Sequence, residues 1–282
     1  MAEEIRNNAA HYADLGASDW LAPGRALDIP LSGEPKALRA GIASLADAHP
    51  DWRVDVNIVA AAGRRKKLLV ADMDSTIIGC ECIDELADMA GLKPKIAAIT
   101  EKAMRGEIEF EDALRERVSL LKGLPLEALA RVYAERVRLN PGAKALLRTM
   151  RANGAYCLLI SGGFTYFTSR VAEEAGFDGQ TGNTLLDDGN ALTGEVVEPI
   201  LGRAAKLDAL EATAKARRLD MSETMAVGDG ANDLGMIEHA GLGVAYHAKP
   251  LVAAAAGAAV TFGDLTSLLY LQGYRESEII RA

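Results

Sequence analysis

The feature that most constrains how this chain folds is a series of short apolar runs, separated by segments of helical character, that begins at Lys67. The runs read KLLVAD, YCLLIS, TMAVGD, GLGVAY and AAVTFG. Each is as long as a strand and almost continuously apolar, which is typical of strands buried on both faces. Strands of this kind with helices between them indicate an α/β fold built on a parallel sheet.

Polar residues follow three of these runs at the point where each strand is expected to end. In an open parallel sheet, ligands bind at the carboxyl ends of the strands, near the switch in strand order. We therefore expect these residues to meet in one crevice, where they would supply four carboxylates, a hydroxyl group and glycine-rich backbone. They are Asp72 and Asp74 after the first run, Ser161, Gly162 and Gly163 after the second, and Asp229, Asn232 and Asp233 after the third.

The crowding of carboxylates predicts a bound cation, because like charges a few ångströms apart raise one another's pKa. Oxygen ligands without histidine or thiol favour a hard cation, and Mg²⁺ is the obvious choice. Mg²⁺ beside glycine-rich turns suits a phosphate group, to which Lys206 would add a fixed positive charge. The chain has no GxxxxGK[ST] motif, and GDGAND lacks the third glycine of a dinucleotide fingerprint. Neither a P-loop nor a Rossmann cofactor site is therefore expected.

Two further segments of the core have recognisable patterns. Between the first and second runs lies an insert of about 60 residues, which is rich in helix formers and interrupted by glycine and proline. Such a length is too great for an ordinary βα loop, so we predict a helical cap over about residues 80–140. Further on, TLLDDGNALTGEVV predicts a β-hairpin, with Asp-Gly supplying its turn.

The N-terminal part of the chain has a pattern of its own. Residues 26–62 predict a short β-α-β unit, in which ALDIPL is followed by PKALRAGIASLADAHP with helical period and by the alternating WRVDVNIVA. We expect residues 1–66 to form a small α+β appendage and residues 67–282 to form the core. The appendage could be a packing accessory or half of a regulatory module, and the sequence leaves both open.

Composition and charge exclude several classes of partner. The net charge of -9 provides no basic field for a polyanion, so nucleic acid is not expected. The start MAEEIRNN is acidic where a secretory signal would be basic, and no apolar run approaches the roughly 20 residues that span a bilayer. We expect a cytoplasmic protein without membrane association. Three cysteines suit a reducing compartment, and we expect Cys80, Cys82 and Cys157 to be packing residues.

The ordered motifs resemble those of a known superfamily. DMDST from Asp72, SGG from Ser161, the later Lys206 and GDGAND from Gly228 are similar to the four motifs of the haloacid dehalogenase (HAD) phosphohydrolases. The resemblance spans about residues 67–282 and implies a HAD-like Rossmannoid core with an inserted helical cap. Within the superfamily, the stretches most similar to the phosphoserine phosphatases are DMDSTIIGCECIDELA, ITEKAMRGEIEFEDALRERVSLLKGLP, SGGF and AVGDGANDLGM. Residues 1–66 do not obviously match that core.

The resemblance implies a role for each motif residue. Asp72 would attack phosphorus and form an aspartyl-phosphate, while Asp74 would protonate the leaving seryl oxygen and then take a proton from the hydrolytic water. Mg²⁺ would be held by Asp72, the backbone carbonyl of Asp74 and Asp229, with Asp233 orienting ligands or water. The phosphoryl oxygens would be bound by Ser161, Gly162, Lys206 and Asn232.

The same resemblance assigns substrate selection to the cap. Phosphoserine carries an ammonium and a carboxylate, which Glu81 and Arg117 would bind, and Met104 and Phe110 would form an apolar wall that excludes water. Three alternatives remain open: a phosphotransferase, a phosphatase for another small phosphomonoester, and a non-catalytic protein that senses phosphate or an amino acid. If residues 1–66 are regulatory, their deletion should abolish inhibition by free serine.

Overall fold

The computed structural model describes residues 1–33, 35–104 and 107–281, with all of their side chains except those at positions 35, 46, 47 and 104. The N-terminal part consists of two helices that pack together and two short antiparallel ribbons, β1 with β4 and β2 with β3. These elements are α1 (Ala2–Ala9), β1 (Ala13–Leu15), β2 (Asp19–Ala22), β3 (Ala26–Asp28), β4 (Leu31–Gly33) and α2 (Pro35–Ala48).

The predicted β-α-β unit in this region is wrong in its strands, although its helix is present as α2. The first predicted strand is divided between β3 and β4, which belong to different ribbons. The second, residues 52–60, is not a strand. Its alternation reflects an extended segment whose side chains, rather than its backbone, bond the core: Asn57 Nδ2 donates to Ala259 O at 2.9 Å, and Ala259 N donates to Asn57 Oδ1 at 2.8 Å.

Six parallel strands form the central sheet, in the order β12-β11-β10-β5-β6-β7. Every residue of β5, β10 and β11 is buried, which explains why these strands appear in the sequence as continuous apolar runs. The predicted α/β class with a parallel core sheet is confirmed. The strands are β5 (Leu68–Ala71), β6 (Tyr156–Phe164), β7 (Gly179–Asn183), β10 (Thr224–Gly228), β11 (Leu242–Tyr246) and β12 (Ala258–Val260).

The sequence analysis missed β7, whose residues GQTGN contain no large apolar side chain. This strand lies at the edge of the sheet and, in the described part of the chain, pairs with β6 alone, for example Leu158 with Gly179. An edge strand is held by one backbone ladder and buries less side-chain surface than a central one. Hydrophobic periodicity therefore gives little signal for it.

Helices cover both faces of the sheet, as expected for parallel strands joined by crossovers. One of them, α9, bears Lys206 near its N-terminal end. It directs this side chain inward to the carboxyl ends of the strands. The described helices of the core are α7 (Ala143–Ala152), α8 (Thr165–Ala175), α9 (Arg203–Ala216), α10 (Leu234–His239), α11 (Pro250–Ala255) and α12 (Ser267–Leu271).

Four helices fall within the predicted insert, and the predicted hairpin is present as β8 (Leu185–Asp187) and β9 (Leu192–Val196). The hairpin is hydrogen-bonded to the cap: Gly123 N donates to Leu192 O at 2.8 Å, and Leu192 N donates to Leu124 O at 2.9 Å. Within the described ranges, no helix is both long and apolar enough to cross a membrane. The cap helices are α3 (Cys82–Met89), α4 (Lys93–Met104), α5 (Phe110–Leu120) and α6 (Leu126–Arg136).

Candidate active site

The turn that follows β5 presents Asp72 at the carboxyl edge of the sheet. The backbone N–H of Asp72 donates to Val227 O of the neighbouring β10 at 3.0 Å, and its carboxylate Oδ1 accepts the N–H of Met73 at 2.8 Å. Three residues on, Ser75 has a φ of 56°, which is the left-handed region that non-glycine residues rarely adopt. Strained backbone of this kind is concentrated at functional sites, where the surrounding structure holds it in place.

Three carboxylates meet at this edge. Asp72, Asp229 and Asp233 each provide an oxygen, and these oxygens lie within 4.8 Å of one another. Lys206 is buried between two of them, with its Nζ 2.8 Å from Asp72 Oδ1 and 2.5 Å from Asp233 Oδ1. The other oxygen of Asp233 accepts the N–H of Gly230 at 3.0 Å. One ammonium therefore neutralises part of a cluster that carries three negative charges when fully ionised.

Burial and mutual repulsion oppose the ionisation of this cluster. Burial, with the charge of Asp233, raises the pKa of Asp72 well above its usual value, and Lys206 offsets only part of this. The same two causes raise the pKa of Asp229 to about 6, while a hydrogen bond from Thr76 opposes the rise. A set of carboxylate oxygens in this electrostatic state fits a hard divalent cation, which would favour the ionised forms.

Asp74 stands apart from the three clustered carboxylates. Its Oδ1 accepts the N–H of Cys82 at 3.2 Å, and burial together with the charge of Glu81 raises its pKa to about 7. A Cβ placed on Gly163 would lie 2.9 Å from Asp74 Oδ2 and 3.0 Å from Ser161 Oγ. Glycine at position 163 therefore lets the carboxyl group of Asp74 approach the Ser161 side of the crevice. A carboxyl group that titrates near neutrality can both donate and accept a proton there.

The remaining predicted phosphate-binding residues line the same edge. The hydroxyl oxygen of Ser161 is buried and accepts the N–H of Gly163 at 2.8 Å. Asn232 lies in the turn after β10, where its Oδ1 packs against Gly230. The structure thus brings Ser161, Lys206 and Asn232 to the strand ends that carry the aspartates.

The cap places two predicted substrate contacts near this edge. A Cβ added to Gly162 would lie 3.0 Å from Cζ of Phe110, so the phenyl ring covers the glycine. Glu81, at the start of α3, accepts a hydrogen bond from the Ser75 hydroxyl at 2.7 Å through Oε1. The strained turn is therefore tied directly to the cap. The predicted contact of Met104 lies outside the described side chains.

Arg117 is a half-buried cation in the cap. Its Nε donates to Ala113 O at 3.2 Å and its Nη1 to Thr100 Oγ1 at 3.4 Å. Burial lowers the pKa of the guanidinium, while the carboxylates of Asp84 and Glu81 oppose this shift. A guanidinium that is partly shielded from water and has only neutral hydrogen-bond partners among these contacts can bind an incoming carboxylate strongly.

Sequence reasoning assigned no role to two residues that shape the site, Ser75 and Thr76. Thr76 Oγ1 donates to Asp229 Oδ1 at 3.0 Å and so orients a carboxylate that is remote in sequence. The signal for both hydroxyl residues was their position immediately after the two aspartates of DMDST. Gly163 was expected at the strand end, but its close approach to the carboxyl group of Asp74 depends on tertiary structure and could not be predicted from the sequence.

The chain is similar to several known proteins. Residues 69–238 match the family of haloacid dehalogenase-like hydrolases. The chain is 43% identical over 260 residues to a phosphoserine phosphatase from Streptomyces coelicolor, a match that covers 91% of this chain and 62% of that protein. The chain therefore spans less than two thirds of the length of that relative.

Two solved structures are also similar. A haloacid dehalogenase family hydrolase from Salmonella enterica serovar Typhi is 30% identical with a TM-score of 0.85, and the match covers 96% of this chain and 92% of that one. This likeness extends into residues 1–66. A phosphoserine phosphatase solved as a phospho-aspartyl intermediate analogue is 37% identical with a TM-score of 0.68, and the match covers 73% of this chain and 98% of that one.

Proposed function

The chain belongs to the haloacid dehalogenase-like hydrolases, and we propose that it is a phosphoserine phosphatase that requires Mg²⁺. The observation that carries the proposal is the buried Lys206 between Asp72 and Asp233, with the carboxyl group of Asp74 on the same turn. This arrangement combines a nucleophile, a fixed cation for phosphoryl oxygens and an acid that titrates near neutrality. The phosphoserine phosphatases among the similar proteins support the choice of substrate.

Asp72 is the nucleophile in the proposed reaction. One of its oxygens attacks phosphorus in line with the seryl oxygen, so a bond from Asp72 to phosphorus forms while the bond from phosphorus to the seryl oxygen breaks. Asp74 gives its proton to the departing oxygen, and serine leaves as a neutral alcohol. Lys206 and Ser161 hold the phosphoryl oxygens, which reduces the repulsion between the phosphate and the anionic nucleophile.

The second half of the reaction reverses the role of Asp74. Its carboxylate takes a proton from a water molecule, whose oxygen attacks phosphorus and displaces the carboxylate of Asp72 as inorganic phosphate forms. Mg²⁺, for which the oxygens of Asp72 and Asp229 and the backbone carbonyl of Asp74 are the proposed ligands, would supply positive charge to the transferring phosphoryl group. Asp233 holds Lys206 in place and would orient the ligands around the ion.

Selection of phosphoserine is proposed to depend on the cap. Glu81 would bind the ammonium group of the substrate, and the half-buried guanidinium of Arg117 would bind its carboxylate. Phe110, which covers Gly162, would exclude water from the phosphoryl group while the cap is closed. The product would be serine, which corresponds to the last step of serine synthesis in the cytoplasm.

The direct test is phosphate release from L-phosphoserine, with Mg²⁺ or with EDTA, by the wild type and by Asp72→Asn. Uncatalysed hydrolysis of phosphate monoesters is so slow, with enzymatic accelerations of up to about 10²¹, that any true activity stands far above background. We expect release that EDTA abolishes and that Asp72→Asn lacks. Preference for another monoester would refute the roles of Glu81 and Arg117, and transfer to an added alcohol would identify a phosphotransferase. Metal-dependent binding without turnover would indicate a sensor.

A further inference from the structure

Residues 52–60 form an extended segment along the outer edge of the central sheet. Three alternate side chains, Arg53, Asp55 and Asn57, contact the core, as expected for one face of an extended chain. The amide of Asn57 makes two hydrogen bonds to Ala259 of β12, one to its carbonyl oxygen at 2.9 Å and one from its N–H at 2.8 Å. The side chain thereby occupies the backbone groups that a further strand would use.

Asp55 binds the turn that follows β12. Its Oδ1 accepts the N–H of Thr261 at 2.8 Å, and its Oδ2 accepts the N–H groups of Phe262 at 3.1 Å and Gly263 at 3.0 Å. Successive backbone N–H groups that converge on one carboxylate form a nest, which is a strong site for an anion. Arg53 adds a cation–π contact, with its Cζ 5.1 Å from the centroid of the Phe262 ring. Residues from opposite ends of the chain thus fix the turn at 261–263.

The turn at 261–263 also contacts the loop that follows β11 through hydrogen bonds. His247 Nε2 donates to Gly263 O at 2.8 Å, in the tautomer that carries its proton there, and the backbone N–H of His247 donates to Val260 O at 2.8 Å. His247 has a φ of 46°, in the left-handed region, so its conformation depends on these contacts. Two residues later, the N–H of Lys249 donates to the backbone carbonyl of Asp229 at 3.4 Å.

We propose that Asp55 and Asn57 are positioning residues for Asp229. They act through the turn at 261–263, the loop at 247–249 and the hydrogen bond from Lys249 N to Asp229 O. The inference rests on the proposed function only in taking Asp229 to be a ligand of the divalent cation. It also gives the segment at 52–60 a role in the site, although the segment itself lies at the outer edge of the sheet.

The arrangement of side chains on the segment favours this role over simple packing. A segment that served only to bury apolar surface would direct its apolar residues at the core. Here the middle of the segment directs the charged and amide side chains of Asp55 and Asn57 at the core and exposes Val56 between them, while Val59, nearer the end of the segment, packs against the apolar core. The contacts made by these polar side chains are directional hydrogen bonds to backbone atoms, which fix the position of a turn more precisely than apolar contact does.

Amide hydrogen exchange in the metal-free protein tests the chain of contacts directly. The variants are Asp55→Ala, Asp55→Asn and Asn57→Ala, with Asp51→Ala as the matched control, because Asp51 is an exposed carboxylate of the same region. We expect Asp55→Ala to accelerate exchange at His247 and Lys249 by about tenfold. Asp55→Asn, which keeps one acceptor oxygen, should have a smaller effect, and Asp51→Ala should have none. The amides of β10 report whether the whole core has been destabilised, and we expect them to be unchanged.

Binding of Mn²⁺, measured by its electron paramagnetic resonance signal, gives a second readout. We expect Asp55→Ala to bind Mn²⁺ at least threefold more weakly than the wild type does, at a temperature where both are fully folded. Faster exchange confined to 259–263, with His247, Lys249 and Mn²⁺ affinity unchanged, would overturn the inference. Loss of protection at His247 and Lys249 in a protein without phosphatase activity would uphold it and reject the proposed function instead.

Discussion

The ammonium of Lys206 lies 2.8 Å from a carboxylate oxygen of Asp72, and both side chains are buried. Burial alone would lower the pKa of Lys206, but Asp72 and Asp233 outweigh it and hold the pKa above its usual value. Lys206 is therefore a permanent charge at neutral pH. When all three carboxylates are ionised, the ammonium leaves two negative charges in the cluster, which matches the charge of a divalent cation.

We predict that Lys206→Met destabilises the metal-free protein by about 3 kcal/mol, because it leaves Asp72 and Asp233 buried without a counter-charge. The loss should be smaller at about pH 5 than at about pH 8. A carboxyl group whose folded pKa is raised keeps its proton in the folded state at low pH, so the penalty for its buried charge appears only as the pH rises.

Denaturant unfolding at the two pH values measures this effect. Lys215→Met is the matched control, since Lys215 is an exposed residue of the same helix, α9. The control should unfold like the wild type at both pH values. An equal loss of stability for Lys206→Met at both pH values would contradict the interpretation that Asp72 is ionised beside Lys206 in the wild type.

The sequence predicted the strand ends of the site because the strands concerned are central. In β5 and β10 both faces are buried, so the apolar run stops where the polar edge begins, and Asp72 and Asp229 follow immediately. The contact of Phe110 with Gly162 was not derivable from residue pattern, because it joins the cap to the core. The roles assigned to Glu81 and Arg117 came from family resemblance alone and stay predictions.

The extended segment at 52–60 shows where periodicity misleads. Its alternation is real, but period 2 reports an extended backbone and does not identify which groups make the hydrogen bonds. Asp55 and Asn57 supply those bonds from their side chains, so no ladder forms. In the middle of the segment Asp55 and Asn57 face inward while Val56 is exposed, which reverses the assumption that the apolar face of an extended segment is the buried one.

Metal binding should stabilise the protein more at high pH than at low pH. In the metal-free protein the pKa of Asp229 is about 6 and that of Asp74 is about 7. Between about pH 4 and pH 7 the folded state therefore holds protons that the unfolded chain has released, and folding stability falls as the pH rises through this window. A divalent cation relieves the repulsion, whereas at low pH it must first displace protons.

Thermal unfolding with saturating Mg²⁺ or with EDTA checks this pH dependence. We expect a larger increase in Tm at about pH 8 than at about pH 5, in line with mass-action stabilisation by a ligand of the folded state. Asp229→Asn should lose most of the increase. An equal increase at both pH values would show that the ion binds elsewhere.

Asp74→Asn should slow the reaction of different substrates to different degrees, depending on how acidic the leaving group is. Removing a general acid typically costs about 10²–10⁴-fold in rate, and we expect a loss of this size with phosphoserine, whose alkoxide must be protonated as it leaves. An aryl phosphate with an acidic phenol should lose far less in the formation of the aspartyl-phosphate, because its leaving group departs as a stable anion.

Single-turnover burst kinetics with the two substrates measure the first step alone. For the wild type with phosphoserine, the rate of that step should fall as the pH rises through the pKa of Asp74, which burial and the charge of Glu81 raise, since Asp74 then loses the proton it must donate. This dependence should be absent in Asp74→Asn. Equal losses for both substrates would exclude Asp74 as the acid.

Gly162→Ala tests the contact between cap and core. Gly162 does not have a positive φ, so alanine introduces no backbone strain, but its Cβ would lie 3.0 Å from Cζ of Phe110. Displacement of the ring should reduce kcat/KM by about tenfold or more, because small shifts in a closed site weaken alignment. Combining it with Phe110→Leu, which removes the far end of the ring, should cost less than the sum of the single losses. Additive losses would show that the two residues act independently.

Arg117→Ala should weaken the use of phosphoserine without affecting phosphoethanolamine, which has the ammonium group but no carboxylate. Hydrogen bonds to charged groups contribute about 1.5–3 kcal/mol, so kcat/KM for phosphoserine should fall by about 10- to 100-fold. Arg117→Lys keeps the charge but loses the planar pair of donors, and it should recover only part of the activity. Steady-state kinetics of the three proteins with both substrates provide the measurement. Parallel losses on phosphoethanolamine would mean that Arg117, with its bonds to Ala113 and Thr100, holds the cap together and does not bind the carboxylate.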